Sequence, residues 1–219
     1  MRQAVYLAGL LGLIVLLWHH TLVYPLKLLV VFFHEASHAL VTVATGGTVR
    51  AMAIDPQQGG QVIAVGGNRF LSLSAGYLGS LAWGMVIYLL ATGTRRQQTI
   101  MVVLGLTVAG ITVVYVRNLF GLAFGCLAGC GMLATGWWVR PAVNGFLLRL
   151  IGLTSLLYAP LDIYSDTIAR SQLRSDARML AEEFGGATVV WGGVWMAISL
   201  LAVVYCLRRS LRMPTQSEP

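Results

Sequence analysis

Leu28-Leu29-Val30-Val31-Phe32-Phe33-His34-Glu35-Ala36-Ser37-His38-Ala39-Leu40-Val41-Thr42-Val43-Ala44 is an apolar run with ionisable side chains at its centre. As a helix it places His34 and His38 one turn apart on the same face, where both imidazoles can bind one Zn²⁺. Glu35, beside the first histidine, can take a proton from a metal-activated water. The flanks are unusual for such a motif. Leu28 to Phe33 carry no polar side chain, and Ala39 to Ala44 carry only Thr42. Ionisable groups are costly in a stretch of this kind unless they have a function. With 4 His and 4 Glu in 219 residues, chance placement gives the HExxH pattern roughly once in a thousand such chains. The bland alternative, a helix with two surface histidines, suits a soluble helix better than this one.

Composition sets the class. The chain is 57 % hydrophobic and 11 % charged, which marks an integral membrane protein and excludes an ordinary soluble domain. Fifteen basic residues against eight acids leave a net charge of +7. Beside apolar spans, that excess points to loops facing anionic lipid headgroups. No basic run with interleaved aromatics suggests a nucleic-acid surface, so no nucleic-acid partner is expected. Cys126, Cys130 and Cys206 all sit in apolar segments without a CxxC pair, which argues against a disulfide framework or a cysteine metal site.

The apolar segments are Ala4–Trp18, Leu26–Thr45, Phe70–Ala91, Thr99–Val116, Leu119–Val139, Ala142–Ile163 and Thr188–Leu207. Most approach the ~20 residues that a spanning helix needs. The first is short and reads as a retained membrane segment, because no small-residue cleavage site follows Trp18-His19-His20. Arg117-Asn118 leaves almost no loop between the fourth and fifth segments. The expected fold is an all-α polytopic bundle of six or seven transmembrane helices, formed by residues 1–219 as a single membrane domain. Orientation stays open. Arg95, Arg96, Arg140, Arg208, Arg209 and Arg212 compete with Arg170, Arg174 and Arg178 for the cytoplasmic side.

Two polar regions interrupt the bundle. In Gly46–Arg69, Arg50–Asp55 and Gln61–Val65 alternate like strands around Pro56-Gln57-Gln58-Gly59-Gly60, which predicts a short β-hairpin at the membrane surface near the zinc. Ser165–Ala187 reads as an exposed, partly helical connection whose charges form a solvated face. Gly121, Gly125 and Gly129 recur every four residues, a spacing that lets helix backbones approach closely.

A catalytic zinc site needs three protein ligands and an open position for water. Among the eight acids, Asp55, Asp176, Glu182, Glu183 and Glu218 fall in polar loops or the tail. Glu35 and Asp162 sit within apolar runs, and Asp166 lies at a border. An intramembrane carboxylate is a functional-site hypothesis by default, so Asp162 is the expected third ligand. Its alternative is a helix-end carboxylate paired with Arg. Pro160 should break or kink the helix just before it. Asp166, one turn on, would pair with Arg170 or hold a liganding histidine in place from behind.

These residues together resemble the site-2 protease family of intramembrane zinc metalloproteases, above all its small peptidase-like bacterial branch. The likeness rests on His34–His38 in a hydrophobic segment, on Leu161-Asp162 downstream and on multiple spans. Gly76-Tyr77-Leu78-Gly79-Ser80 matches the family's GxxxN/S/G pattern, and the stretch through Ser175-Asp176-Ala177 is similar to the small branch. Ile163 stands where the family has Gly after the Asp, and no PDZ domain is present. The resemblance implies a multi-pass protein of a bacterial cell membrane, with a membrane protein or peptide as substrate. It implies Zn²⁺ held by His34, His38 and Asp162, with Glu35 as catalytic base. Gln61, Val62, Ile63, Ala64 and Val65 would hold the unwound substrate by main-chain hydrogen bonds, with Gly76 and Ser80 as further substrate-binding positions. Two other classes fit the same residues. One is a non-catalytic zinc-binding membrane protein acting as a regulatory or binding partner. The other is a cation or proton pathway.

Overall fold

The chain folds as α1 (Arg2–Leu16), α2 (Tyr24–Ala44), β1 (Thr48–Ile54), β2 (Gly60–Val65), α3 (Arg69–Gly93), α4 (Gln97–Tyr115), α5 (Leu119–Trp138), α6 (Pro141–Tyr164), α7 (Asp176–Phe184) and α8 (Thr188–Arg212). This computed structural model describes residues 2–170 and 172–212. Among them six helices are long and apolar enough to cross a membrane: α2 to α6 and α8, with α6 running on through a π-helical turn at Ser165–Ala169. In hydrocarbon each backbone N–H and C=O must be paired within the protein, which helices achieve inside one segment and closed barrels between strands. The protein is therefore a multi-pass membrane protein. Helix α1 has 15 residues, about 22 Å at 1.5 Å per residue, too short to span unaided.

Local sequence sets the helix ends. Pro25 and Pro141 stand in the first turns of α2 and α6, where a missing N–H costs nothing. Asn68 caps α3, its Oδ1 accepting from the Leu71 N–H at 3.0 Å. Of the break or kink expected at Pro160, the break does not occur. The helix continues to Tyr164 and then widens into the π turn. Neighbouring helices can hold a proline-containing membrane helix in line.

Helices α2, α3 and α6 form the centre. Ser155 Oγ donates to the Ser80 carbonyl at 2.7 Å across α3 and α6, and Phe33 stacks on Trp83 across α2 and α3. Helix α5 packs on α4 through its glycine stripe. A Cβ on Gly129 would lie 3.0 Å from the Ala109 Cβ, and one on Gly125 would collide with Thr112. The stripe is thus a close-packing device.

Strands β1 and β2 form the expected antiparallel hairpin, with a bulge between Val49 and Ala51. Its position differs from the expectation. It does not rest above α2 at a membrane surface but runs back alongside it, so that the Tyr24 hydroxyl, at the opposite end of α2, donates to the Pro56 carbonyl at 2.6 Å. Burial explains this. Met52 and Ile54 are fully enclosed in the core shared with α2 and α4. The outer edge of β1 is satisfied by the α4–α5 turn. The Arg117 N–H donates to Met52 O at 3.0 Å, Asn118 Nδ2 donates to Ile54 O at 2.7 Å, and Asn118 Oδ1 accepts from the Ile54 N–H. Strand backbone at membrane depth is tolerated where protein or a wet cleft covers it.

Candidate metal centre

His34 and His38 face one cleft from the middle of α2. His34 lies ten residues from the end of that helix, about 15 Å down its axis. Their third neighbour comes from outside the spans. Asp176 opens α7, which folds back into the bundle because Ala177 and Leu180 are fully buried against α3 and α8. Ser175 caps α7 by accepting from the Arg178 N–H, and this aims Asp176 inward. His34 Nε2 and His38 Nε2 lie 3.0 and 3.1 Å from Asp176 Oδ2. One donor atom from each of the three falls within 4.8 Å of the others.

The chemistry of this donor set fits zinc. Two imidazoles and a carboxylate leave a fourth position open, as in catalytic zinc sites. His38 Nδ1 is 2.7 Å from the Ser72 carbonyl. A carbonyl only accepts, so Nδ1 carries a proton, which leaves Nε2 as the atom turned to the cleft, able to bind a cation once its own proton is displaced. Burial acts most strongly on Asp176 and opposes its ionisation. His38 and His34 beside it prevail and hold its carboxyl below the ordinary carboxylate range. An ionised carboxylate is the form that binds a cation.

Two glycines make room. A Cβ on Gly76 would strike Nε2 of both histidines. Gly76→Ala should therefore lower zinc affinity on the order of tenfold, measured by competition with a metal indicator. Unchanged affinity would show that the imidazoles stand elsewhere. Gly60, the first residue of β2, passes over Glu35, and a Cβ there would lie 2.6 Å from its Oε1.

The structure sorts the residues singled out from sequence. His34, Glu35 and His38 share the cleft, a cavity of about 680 Å³. Asp162 lines the same cleft but is not among the three clustered donors. The geometry thus offers Asp176 as the third donor where the sequence suggested Asp162. Asp166 accepts from the Tyr77 hydroxyl at 2.7 Å and from Arg170 at 2.9 Å. The Tyr77 ring stands edge-on to His34 with centroids 4.9 Å apart, so Asp166 reaches the histidine through Tyr77. Gln61, Val62, Ile63 and Ala64 line the cleft, and Val65 lies beyond it. Gly76 abuts the histidines. Ser80 is buried away from the cleft, its hydroxyl donating to the Tyr77 carbonyl at 3.0 Å.

Asp176 sits in a polar connection, where an acid reads as one more solvated charge. The signal it carries in the sequence is Ser175-Asp176-Ala177, a capped start with an acid in the first turn of a short amphipathic helix.

Neither the curated proteins nor the solved structures gave a match. A family model described as Peptidase M50B-like matches residues 6–206, nearly the whole chain. The chain belongs to that family, the site-2 protease family of intramembrane metalloproteases.

Proposed function

We propose that the protein is a zinc-dependent intramembrane endopeptidase that hydrolyses peptide bonds in transmembrane or membrane-associated segments. The observation that carries this reading is the convergence of His34, His38 and Asp176 on one point of a cleft that Glu35 also lines. His34 Nε2, His38 Nε2 and an Asp176 carboxylate oxygen would hold the zinc. Bound there, zinc supplies an activated water and polarises the scissile carbonyl. Glu35 takes the proton of the attacking water and returns it to the leaving amine. Only 6 % exposed, its carboxylate works in a poorly solvated setting where proton transfer is not diluted by bulk water. Gln61, Asp162, Asp166 and Ser72 give the cleft wall polar groups that can bind the water the reaction consumes.

A substrate helix hides its peptide bonds in its own hydrogen-bond ladder and must unwind before cleavage. Strand β2 is suited to hold the unwound segment. The sheet has two strands among the described residues, β1 is covered on its far side, and the outer edge of β2 borders the cleft. An extended peptide added to that edge would pass Glu35 at Gly60. Successive N–H groups along a strand point to opposite edges. A proline scan from Gln61 to Val65 should therefore alternate. Where the N–H faces the cleft, cleavage should fall while zinc stays bound. Where it faces β1, the hairpin itself should loosen. Uniformly normal cleavage across the scan would mean that substrate is held elsewhere.

The direct test uses purified full-length protein in proteoliposomes with a single-span substrate. Zinc content near one per chain is expected, together with cleavage that a chelator abolishes and added Zn²⁺ restores. Bound zinc without cleavage of any substrate would instead favour a binding or regulatory role.

A further inference from the structure

A second, separate crevice lies between α3 and α4, on the far side of Trp83 from the metal centre. It encloses about 430 Å³ and is walled by Val86 and Leu90 of α3 and by Ile100 and Val103 of α4. Val86, Leu90 and Val103 remain 49, 41 and 56 % exposed, so no protein element covers it among the described residues. At one end the wall becomes polar, with Arg96 and Thr99 at its mouth. A helix of three turns is about 10 Å across and would need on the order of 1,000 Å³. The crevice is too narrow to seat one but suits a single extended chain.

Charge supplies the second observation. Gln98 Nε2 donates to the Val139 carbonyl at 2.9 Å, which brings the α3–α4 turn against the α5–α6 turn. Arg95 and Arg96 stand three and two residues before Gln98, and Arg140 follows Val139, so these arginines belong to the two turns that this bond joins. Residues 93–99 and 139–145 contain no carboxylate, and none of these arginines has an ion-pair partner among the described residues. An unpaired guanidinium at the mouth of an apolar slot is complementary to a phosphate carrying a hydrocarbon chain.

We propose that this crevice binds one anionic phospholipid, its acyl chain between α3 and α4 and its headgroup phosphate against Arg96. The full-length protein in detergent would be incubated with phosphatidylglycerol or phosphatidylcholine of identical acyl chains, and bound lipid counted by native mass spectrometry. Phosphatidylglycerol should be retained preferentially. Arg96→Gln should weaken that retention about fivefold, the worth of one arginine near an anionic headgroup, and weaken phosphatidylcholine less, because choline already offsets the charge of its phosphate. Val103→Trp, at an exposed position, should fill the slot and weaken both lipids. Equal retention of the two lipids by the unmodified protein would overturn the proposal, as would retention that ignores both substitutions. Full displacement of phosphatidylglycerol by inorganic phosphate would also overturn it, because the acyl chain would then play no part.

Discussion

Asp176→Ala should empty the metal centre and abolish hydrolysis, whereas Asp162→Ala should leave the zinc in place. Both carboxylates line the cleft, but only Asp176 brings an oxygen to 3.0 and 3.1 Å from the two Nε2 atoms. A site reduced to two imidazoles holds zinc weakly, because structural and catalytic zinc sites draw on three or four protein donors. Zinc per purified chain should fall from about one towards zero in Asp176→Ala and stay near one in Asp162→Ala. Asp166→Ala should also keep its zinc. Its loss frees the Tyr77 hydroxyl and slackens the ring against His34, which should lower the rate on the order of tenfold. Elemental analysis decides the matter once each variant is shown to be folded by its thermal transition. An empty site in Asp162→Ala beside a full one in Asp176→Ala would return the ligand role to Asp162.

Glu35→Gln should keep both the fold and the metal yet slow cleavage by about 10²–10⁴-fold, the usual worth of a positioned base. The amide matches the carboxylate in size, so the close approach of Gly60 is preserved, but it cannot accept the proton. The experiment follows single-span substrate cleavage in proteoliposomes, with zinc content measured on the same preparation. Cleavage at the unmodified rate would remove Glu35 from the mechanism. Loss of zinc together with cleavage would make its role structural, since Glu35 is not among the clustered donors.

Much of this protein is legible from local pattern. Apolar runs near 20 residues became membrane-length helices, because hydrocarbon leaves the backbone no other way to pair its polar groups. The alternation around Pro56-Gln57-Gln58-Gly59 became a hairpin, and the four-residue spacing of His34 and His38 placed both imidazoles on one face. Each of these depends on neighbours in the chain. The depth of the hairpin does not. It follows from Met52 and Ile54 finding a core among other helices and from Arg117 and Asn118 pairing with the outer edge of β1. The clustering of Asp176 with the two histidines is likewise a tertiary result. Asp162 stands out in the sequence because it lies in an apolar run, and it does line the cleft, yet hydrophobic surroundings along the chain do not say which carboxylate comes nearest a given point. Asp176 lies 142 residues from His34, in a segment that reads as solvated, and it reaches the two histidines because Ala177 and Leu180 bury the start of α7 in the bundle. Residue spacing determines which side chains share a face of one helix, whereas the burial of apolar surface between distant segments decides which faces meet.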